Sequence, residues 1–320
     1  MDVIRDLAYP VWPGERSVIT IGAYDGLHLG HREVLARVNT LARASGARSV
    51  VVTFARHPAL VVRPESAPLL LTSPDERLEL MATTGIDAAI VLPFGPEEAA
   101  EEAEHFVERV FVRALAVSTV VVGSDFHFGR GRRGDVGMLR RMGADHDFAV
   151  EPIELLTSVN GPVISSTAVR AALAAGDLES AEAMLGRRHR VAGEVVTGDQ
   201  RGRTIGFPTA NVAVPSERQI PADGVYAARV SMGEGQPSRP AVVNIGRRPT
   251  FDADPGHSLV EAHLIDAEVD LYGQRLVVEF VERLRGEQRF ESVEALVAQI
   301  GADRDRAATL LGVVADNAQP

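Results

Sequence analysis

The sequence predicts an α/β protein: a doubly wound parallel sheet in the first half, followed by an antiparallel β-barrel with a C-terminal helix. Short β-branched runs alternate with helical patterns up to about residue 186. That alternation is typical of a parallel sheet whose strands are joined by right-handed crossovers. Beyond residue 186, strand-like runs follow one another with only turn residues between them. Consecutive strands of this kind favour an antiparallel sheet or a small closed barrel.

The first half is predicted to alternate between strands and helices in a regular order. The β-branched runs are Val18–Ile21, Ser49–Phe54, Ala88–Leu92 and Thr119–Gly123, and the helical patterns lie near Arg32–Ala44, Pro74–Thr84 and Glu97–Ala116. Ser73 and Glu76 are spaced as a capping box, which fixes the start of the second helix. Two more helices follow Ser165; they are separated by Gly176-Asp177, and the second ends at Gly186.

The second half is predicted to consist of strands and one final helix. The strand-like runs are Arg190–Thr197, Val225–Met232, Ala241–Ile245, Leu259–Ile265 and Leu276–Val281. A helical pattern returns only from Ser292 to about Gly312. The change of texture after residue 186 predicts two domains, 1–186 and 187–320, in agreement with a length above the usual size of one core.

Composition and charge narrow the classes of function. The net charge of −11 argues against nucleic acid as the main partner, because proteins that bind the phosphate backbone usually have a basic face. No long apolar run is present, so we expect no membrane span and a cytoplasmic protein. Cysteine and lysine are absent. Cysteine nucleophiles and lysine-dependent phosphate loops are therefore excluded, and a phosphate clamp must use arginine, backbone N–H groups or a metal.

The stretch Gly22–His31 carries a pattern with a clear chemical meaning. It is a glycine-rich turn between the first strand and the first helix. Such a turn brings backbone N–H groups close to an anion, and His28 and His31 can donate hydrogen bonds to the α-phosphate of a nucleotide. The His-x-Gly-His pattern is similar to the signature of nucleotidylyltransferases, so the expected sheet is nucleotidylyltransferase-like. The alternative is a plain turn in which one histidine caps the helix and the other is solvated.

Further segments of the first half fit the same nucleotide site. The second and fourth strands end at one edge of a doubly wound sheet, where the sequence places Phe54, His57, Asp125, Phe126 and Phe128. The phenylalanines can wall a planar ring, or they can be ordinary core residues. In Ile164–Arg170, hydroxyls at a helix start and the guanidinium of Arg170 can hold a polyphosphate, or the hydroxyls can simply cap the helix.

The second half has its own cluster of polar residues. Gly202–Asn211 is a loop fixed by glycine and proline that presents Thr209 and Asn211 two residues apart. Oxygen ligands on a rigid loop suit Mg²⁺ held together with substrate phosphates, and the alternative is an ordinary Asx-capped turn. Glu261 and His263 share one face of a strand. The Glu261 carboxylate is a candidate general base, or else a surface group on an exposed face.

Taken in order, these motifs resemble the bifunctional prokaryotic riboflavin kinase/FMN adenylyltransferase (FAD synthetase) family over nearly the whole chain. The matching segments are Gly22–His31, Gly123–Gly129, Ile164–Arg170, Gly206–Asn211, Pro221–Tyr226 and Asn244–Gly246. The chain departs from the family at Ala23, where many members have Ser or Thr. It also departs at Arg247-Arg248, where a smaller first residue is expected.

The resemblance implies two reactions. The second half phosphorylates riboflavin from ATP, giving FMN and ADP, and the first half transfers AMP from ATP to FMN, giving FAD and pyrophosphate. Mg²⁺ is the implied divalent cation, and a weak homo-oligomer is left open. The nucleophile of the first half is an anionic phosphate that needs positioning rather than a base. The nucleophile of the second half is a neutral alcohol, whose proton must leave as it attacks.

The resemblance also implies a role for each candidate residue. Catalysis is assigned to His28, His31, Arg170 and Glu261. Binding of ATP and its phosphates is assigned to Gly22, Tyr24, Asp25, Gly30, Ser165, Ser166, Thr167, Gly206, Thr209 and Asn211. Flavin binding is assigned to Phe54, His57, Asp125, Phe126 and Phe128, and binding of Mg²⁺ to Thr209 and Asn211.

The sequence leaves two other functions open. A different cytidylyl- or adenylyltransferase with an unrelated barrel would keep the histidine motif but would not need the loop with Thr209 and Asn211. A flavin-responsive regulatory module would keep the nucleotide fold without catalysis, although both sets of candidate residues in one chain argue against it. Class I aminoacyl-tRNA synthetases share such a histidine motif, but they pair it with a lysine-rich loop, and this chain has no lysine.

Overall fold

The computed structural model describes residues 1–154, 163–197, 205–233, 236–246, 259–267, 269 and 271–313. Gly202–Thr204 of the predicted phosphate loop and the departure at Arg247-Arg248 lie outside these residues. The chain divides into two compact units, Met1–Ser166 and Thr167–Pro320. Within the described ranges, no helix is both long enough and apolar enough to cross a membrane.

The first unit is built on a parallel sheet of six strands in the order β1-β4-β3-β2-β5-β8. These strands are β1 Asp2–Ile4, β2 Ser17–Ile21, β3 Arg48–Phe54, β4 Ala88–Leu92, β5 Val117–Gly123 and β8 Ala149–Ile153. A separate ribbon pairs β6 His127–Phe128 with β7 Gly134–Asp135. The order reverses at β2, whose neighbours are β3 and β5, and ligands of open α/β sheets bind at the carboxyl ends of strands beside such a reversal.

Helices cover both faces of this sheet. They are α1 Leu29–Ser45, α2 Ala59–Val62, α3 Pro74–Ala82, α4 Pro96–Ala99, α5 Ala103–Phe106, a π-helix at Val107–Ala114 and α6 Val136–His146, with 3₁₀ turns at Pro64–Ser66 and Arg130–Arg132. One buried core contains Phe106 and Phe111 from the α5 and π-helix side. The other contains Leu35 from α1 and Met81 from α3. The sheet therefore separates two apolar layers.

The structure corrects several predicted boundaries in the first unit. The first helix begins at Leu29 instead of Arg32, because His28 is its N-cap. The pattern predicted as one helix over Glu97–Ala116 is broken into α4, α5 and the π-helix. The sequence analysis does not predict β1, α6 or β8. Two of these are edge strands, of which β8 contains Pro152, and helix α6 contains two glycines, so local propensity gives little signal for them.

The second unit is a closed antiparallel barrel with helices packed on it. The strands close in the order β10-β13-β12-β11-β14-β9. Their bounds are β9 Arg190–Val196, β10 Ala210–Ala213, β11 Gly224–Ser231, β12 Arg239–Gly246, β13 Leu259–Leu264 and β14 Arg275–Arg285. Tyr226 and Phe280 are fully buried in the barrel interior. The predicted fold class is confirmed, and the one strand of this unit that the sequence analysis does not predict is β10, which it reads as part of a loop.

Among the described residues of this unit, three helices accompany the barrel. These are α7 Ser166–Ala175, α8 Leu178–Leu185 and α9 Val293–Leu310. As predicted, Asp177 caps α8 by accepting a hydrogen bond from the backbone N of Ser180, and Gly186 ends it in the left-handed region. Leu178 packs against the barrel core, and the backbone N of Ala222 donates to the carbonyl of Leu173 at 3.0 Å. The two helices before residue 186 therefore pack on the barrel.

Candidate active sites

The turn between β2 and α1 holds the predicted histidine pair in the first turn of the helix. Gly26 has φ +82°, a conformation that glycine adopts without strain. His28 is the N-cap, and its Nδ1 accepts a hydrogen bond from the backbone N of His31 at 3.3 Å. An accepting Nδ1 leaves the proton of a neutral imidazole on Nε2. A side chain at Gly30 would press on the His28 ring, since a Cβ there would lie 3.2 Å from Nδ1.

The two imidazoles form a compact pair, in which His28 is buried and His31 is half-buried with its Nδ1 shielded from solvent. Their ring centroids are 3.6 Å apart and the rings are stacked, while the Tyr24 ring lies 4.8 Å from that of His31. Burial lowers the pKa of His31 well below its usual value, and the adjacent His28 lowers it further. Among the described residues, the buried Nδ1 of His31 has no hydrogen-bond partner. One histidine does cap the helix, as in the plain-turn alternative, while the other places an unsatisfied imidazole nitrogen beside the helix N-terminus; the catalytic role of the pair stays a prediction.

Tyr24 and Asp25 hold the turn in place through buried contacts. The Tyr24 hydroxyl lies 2.5 Å from the hydroxyl of Thr20, and burial raises the pKa of Tyr24. The Asp25 carboxylate is 3% exposed and accepts from the backbone N atoms of Leu71 and Thr72 at 3.0 Å. These contacts tie the turn to the segment before α3. The predicted contact of both side chains with ATP stays a prediction, and a carboxylate with these partners acts on the turn itself.

The hydroxyl segment approaches the same turn. The Ser166 hydroxyl donates to the backbone carbonyl of Asp25 at 2.8 Å. A Cβ at Gly30 would lie 3.5 Å from the carbonyl oxygen of Ile164, so this segment runs close to the start of α1. Ser165 precedes the first residue of α7, and Thr167 and Arg170 belong to the second unit.

A cavity of about 570 Å³ opens at the carboxyl edge of the sheet. Its walls include Ile21, Phe54, Leu92 and Phe106, which belong to the core on the π-helix face, together with Phe128. Helix α1, into which the histidine turn leads, packs on the opposite face. The cavity is therefore an apolar slot that begins where β2 ends, next to the nucleotide turn.

The structure brings two of the five predicted flavin residues into the cavity wall. Phe54 and Phe128 line it. Phe126 stacks on Phe128 with centroids 5.4 Å apart but is not part of the wall. His57 accepts from the backbone N of Ala59 at 3.2 Å at the start of α2, and Asp125 is exposed. Neither side chain lines the cavity.

The sequence analysis misses a charged cluster in the same wall. Arg109 donates to both carboxylate oxygens of Glu101, at 2.8 and 2.6 Å, and His105 Nδ1 lies 2.8 Å from Glu101 Oε1. Burial by itself would raise the pKa of Glu101, but hydrogen bonds and charge from Arg109 and His105 lower it overall. Glu101 lies between α4 and α5, His105 in α5 and Arg109 in the π-helix. The spacing of four residues from Glu101 to His105 and from His105 to Arg109 is that of neighbours on one helical face, so a signal for this cluster was present in the sequence.

On the barrel, three polar residues of adjacent strands lie in one cross-strand row. Glu261 on β13 is the register partner of Asn211 on β10 and of Asn244 on β12. The alternating neighbours of each residue point into the barrel core, so all three side chains lie on its outer face. Register partners bring their Cβ atoms to within about 5.5 Å. Asn244, which the sequence analysis matched only as part of a family landmark, thus stands beside the candidate base.

The loop that precedes β10 is positioned by His263. The Nδ1 of His263 lies 2.8 Å from the carbonyl oxygen of Pro208, and the ring of Phe207 meets the imidazole edge-on at 5.5 Å. Thr209 is exposed. Asn211 was predicted to lie in the loop, but it lies in strand β10. Glu261 and His263 do share one face, and His263 there serves to hold the loop.

The donor set of this loop fits a hard divalent cation. Among the described residues, the buried Oδ1 of Asn211 has no hydrogen-bond partner. An amide oxygen and a hydroxyl such as that of Thr209 suit Mg²⁺, which usually keeps several waters and binds substrate phosphates as well. In the described ranges, no cluster of three or more His, Cys, Asp or Glu residues could hold a metal.

Comparisons with known proteins assign the two halves separately. A family model described as FAD synthetase matches residues 13–168, and one described as riboflavin kinase matches residues 185–311. Bifunctional riboflavin kinase/FMN adenylyltransferases match nearly the whole chain. The relative from Escherichia coli strain K12 is 40% identical over 302 residues, covering 94% of this chain and 95% of its own length. The relative from Pseudomonas fluorescens is 42% identical over 308 residues, covering 95% and 96%.

Solved structures share the fold. A crystal structure named as a macrolide-efflux protein from Streptococcus pneumoniae superposes with a TM-score of 0.83 at 29% identity. The match covers 96% of this chain and 99% of that chain. The likeness therefore extends over both units.

Proposed function

The chain belongs to the bifunctional riboflavin kinase/FMN adenylyltransferase family, and from that premise we propose which of its residues carry each reaction. The enzyme phosphorylates riboflavin with ATP in its C-terminal part and adenylylates FMN with ATP in its N-terminal part. One observation carries the residue assignment. Each of the two motifs contains a buried atom that has no hydrogen-bond partner among the described residues, His31 Nδ1 in the first and Asn211 Oδ1 in the second.

Adenylyl transfer uses the turn at the start of α1. The phosphate oxygen of FMN attacks the α-phosphorus of ATP, the bond to the β-phosphate oxygen breaks, and pyrophosphate leaves with the electron pair. His28 and His31 donate hydrogen bonds to the α-phosphate oxygens as charge builds up, together with the backbone N–H groups of the helix start. Arg170 and the hydroxyls of Ser165–Thr167 bind the departing phosphates. No base is needed, because the nucleophile is already anionic.

The apolar cavity holds the isoalloxazine ring of FMN. Its aromatic wall, with Phe54 and Phe128, suits a flat apolar ring system. The cavity begins at Ile21, directly before the nucleotide turn. A ring in the slot would thus extend its phosphate toward the histidine pair. Phe126 stacks on Phe128 but does not itself line the cavity.

Riboflavin phosphorylation uses the row on the outer face of the barrel. Glu261 accepts the proton of the ribityl hydroxyl as the hydroxyl oxygen attacks the γ-phosphorus of ATP; the bond from that phosphorus to the bridging oxygen of the β-phosphate breaks, and ADP leaves with the electron pair. Thr209 and Asn211 hold Mg²⁺ together with the ATP phosphates, and Gly206 lies in the loop that approaches those phosphates. When bound, the cation neutralises charge on the transferred phosphoryl group.

We place the boundary between the two catalytic parts at residue 186 and the enzyme in the cytoplasm, where its co-substrate ATP is abundant. The two family models support a boundary between residues 168 and 185, close to this position. The two activities are tested by incubating the full chain with riboflavin, ATP and Mg²⁺ and separating the flavins by chromatography. We expect FMN first and FAD later. FMN as the final product would remove the adenylyltransferase assignment, and absence of FMN would remove the kinase assignment.

A further inference from the structure

A buried arginine of α3 connects the ends of β2 and β3. Arg77 is 5% exposed. Its Nη1 donates to the backbone carbonyl of Ala23 at 2.9 Å, and its Nη2 donates to that of Phe54 at 2.5 Å. Both acceptors are backbone oxygens. The alanine at position 23, where many family members have Ser or Thr, therefore does not affect these contacts.

The two carbonyls belong to different parts of the adenylyltransferase site. Ala23 lies in the turn that leads to His28, and the side chain of Phe54 lines the flavin cavity. The ladder between β2 and β3 ends at the pair Ile21 and Val52, with a last hydrogen bond from Gly22 N to Val52 O. Beyond that pair the Thr53 hydroxyl donates to the Ala23 carbonyl at 3.4 Å, and the guanidinium adds a connection from Ala23 to Phe54 past the end of the ladder.

A guanidinium is suited to transmit a displacement between these two segments of the chain. Its planar fork holds its donors in fixed relative positions, so a shift of one acceptor is passed to the other or costs a hydrogen bond. A buried guanidinium that loses an acceptor is left with an unsatisfied charged donor, which is strongly disfavoured. The segment just before α3 is itself tied to the nucleotide turn, because the backbone N atoms of Leu71 and Thr72 donate to Asp25. The helix is thereby fixed to the same turn at a second point.

We propose that Arg77 is a positioning residue that couples the nucleotide turn to the flavin cavity, so that ATP and FMN each raise the affinity of the enzyme for the other. The proposal rests on the adenylyltransferase site described above. ATP bound at the nucleotide turn fixes the position of the Ala23 carbonyl, and this carbonyl then fixes the guanidinium of Arg77. The backbone of Phe54 consequently adopts the position that the flavin ring requires. The coupling is reciprocal by thermodynamic necessity.

The test is a binding cycle on the full chain. The dissociation constant of FMN is measured by flavin fluorescence with and without a non-hydrolysable ATP analogue and Mg²⁺. In the wild type we expect the analogue to tighten FMN binding about fivefold or more. In Arg77→Met this factor should fall to near one, and in Arg77→Lys, which keeps the charge but not the fork, it should fall to an intermediate value. Arg37→Met removes an arginine from α1 that pairs with Glu151 at the surface, and it should keep the wild-type factor.

Two outcomes overturn the proposal: a wild type in which each ligand binds but the analogue does not change the FMN affinity, and an Arg77→Met variant that keeps the full factor. A wild type that binds neither FMN nor the analogue would instead overturn the adenylyltransferase assignment. Riboflavin phosphorylation should be unchanged in all variants, and circular dichroism reports whether they fold.

A measurement on the wild type keeps the proposal testable if the Arg77 variants do not fold. Hydrogen exchange is followed with each ligand alone. The ATP analogue should slow exchange in the segment around Phe54, and FMN should slow exchange in the turn around Ala23. Exchange that changes only at the segment each ligand contacts would overturn the coupling.

Discussion

Asn211 on β10 and Glu261 on β13 are register partners in adjacent strands, with both side chains on the outer face of the barrel. This pairing places an unsatisfied amide oxygen beside a carboxylate. The two residues are 50 positions apart in the sequence. The closed sheet makes them neighbours, and it brings the proposed cation ligand next to the proposed base.

The first prediction concerns the base. Glu261→Gln keeps the size of the side chain but removes the basic oxygen, so riboflavin phosphorylation should slow by roughly a hundredfold or more. The same variant supplied with FMN should make FAD at the wild-type rate, because that nucleophile needs no deprotonation. Glu279→Gln, which changes a carboxylate on the outer face of β14, is the matched control and should retain kinase activity. Near-normal phosphorylation by Glu261→Gln would reduce this residue to a surface carboxylate.

Asn211 tests the cation site separately from the base. Asn211→Ala removes the unsatisfied Oδ1, so the Mg²⁺ concentration for half-maximal FMN formation should rise about tenfold, which corresponds to about 1.4 kcal/mol of binding. Thermal stability should change little, because no hydrogen bond of that oxygen is lost. Glu261→Gln should keep the wild-type Mg²⁺ dependence at its lower rate. An unchanged Mg²⁺ dependence in Asn211→Ala would argue against the ligand.

The histidine pair should act on adenylyl transfer alone. His28→Ala or His31→Ala should lower FAD formation by roughly two to three orders of magnitude, the usual effect of removing a preorganised donor to developing charge. FMN formation from riboflavin should survive in both. His146→Ala, at the exposed end of α6, serves as the control and should leave both rates unchanged. Wild-type FAD synthesis in the double alanine variant would contradict the assignment.

The lowered pKa of the half-buried His31 should also make stability depend on pH. Its pKa is lowered in the folded protein, so on acidification the unfolded chain takes up a proton before the folded one does. Stability is then complete above the unfolded value near 6.5 and is lost as pH falls toward the folded pKa. The melting temperature of the wild type should therefore drop more between pH 7.5 and 5 than that of His31→Gln. Parallel pH curves for the two proteins would show that burial does not suppress protonation of this imidazole.

The boundary at residue 186 can be tested with two truncations. A chain of residues 187–320 should fold and make FMN, because it retains the whole barrel and α9. A chain of residues 167–320 should do the same with a higher melting temperature, since it keeps most of α7 and all of α8, which pack on the barrel. If only the longer chain folds, the boundary lies near residue 166.

Much of the site could be derived from local sequence, because it depends on short-range geometry. The spacing of His28 and His31 puts both in one turn of a helix, and the alternation around Glu261 fixes the face on which it lies. Ser73 and Glu76 form the predicted capping box. In each case the interacting atoms are at most a few residues apart, so the pattern in the chain already contains the contact.

The sequence by itself determined the two-part architecture, the positions of most strands along the chain and the identity of both motifs. Only the tertiary structure decided which residues meet across the chain. The row of Asn211, Glu261 and Asn244 and the clamp of Arg77 on Ala23 and Phe54 both depend on contacts between distant segments. Periodicity reports how each segment divides its residues between core and solvent, but it carries no information about which segments become neighbours. That choice is made by packing and by the need to satisfy buried polar groups.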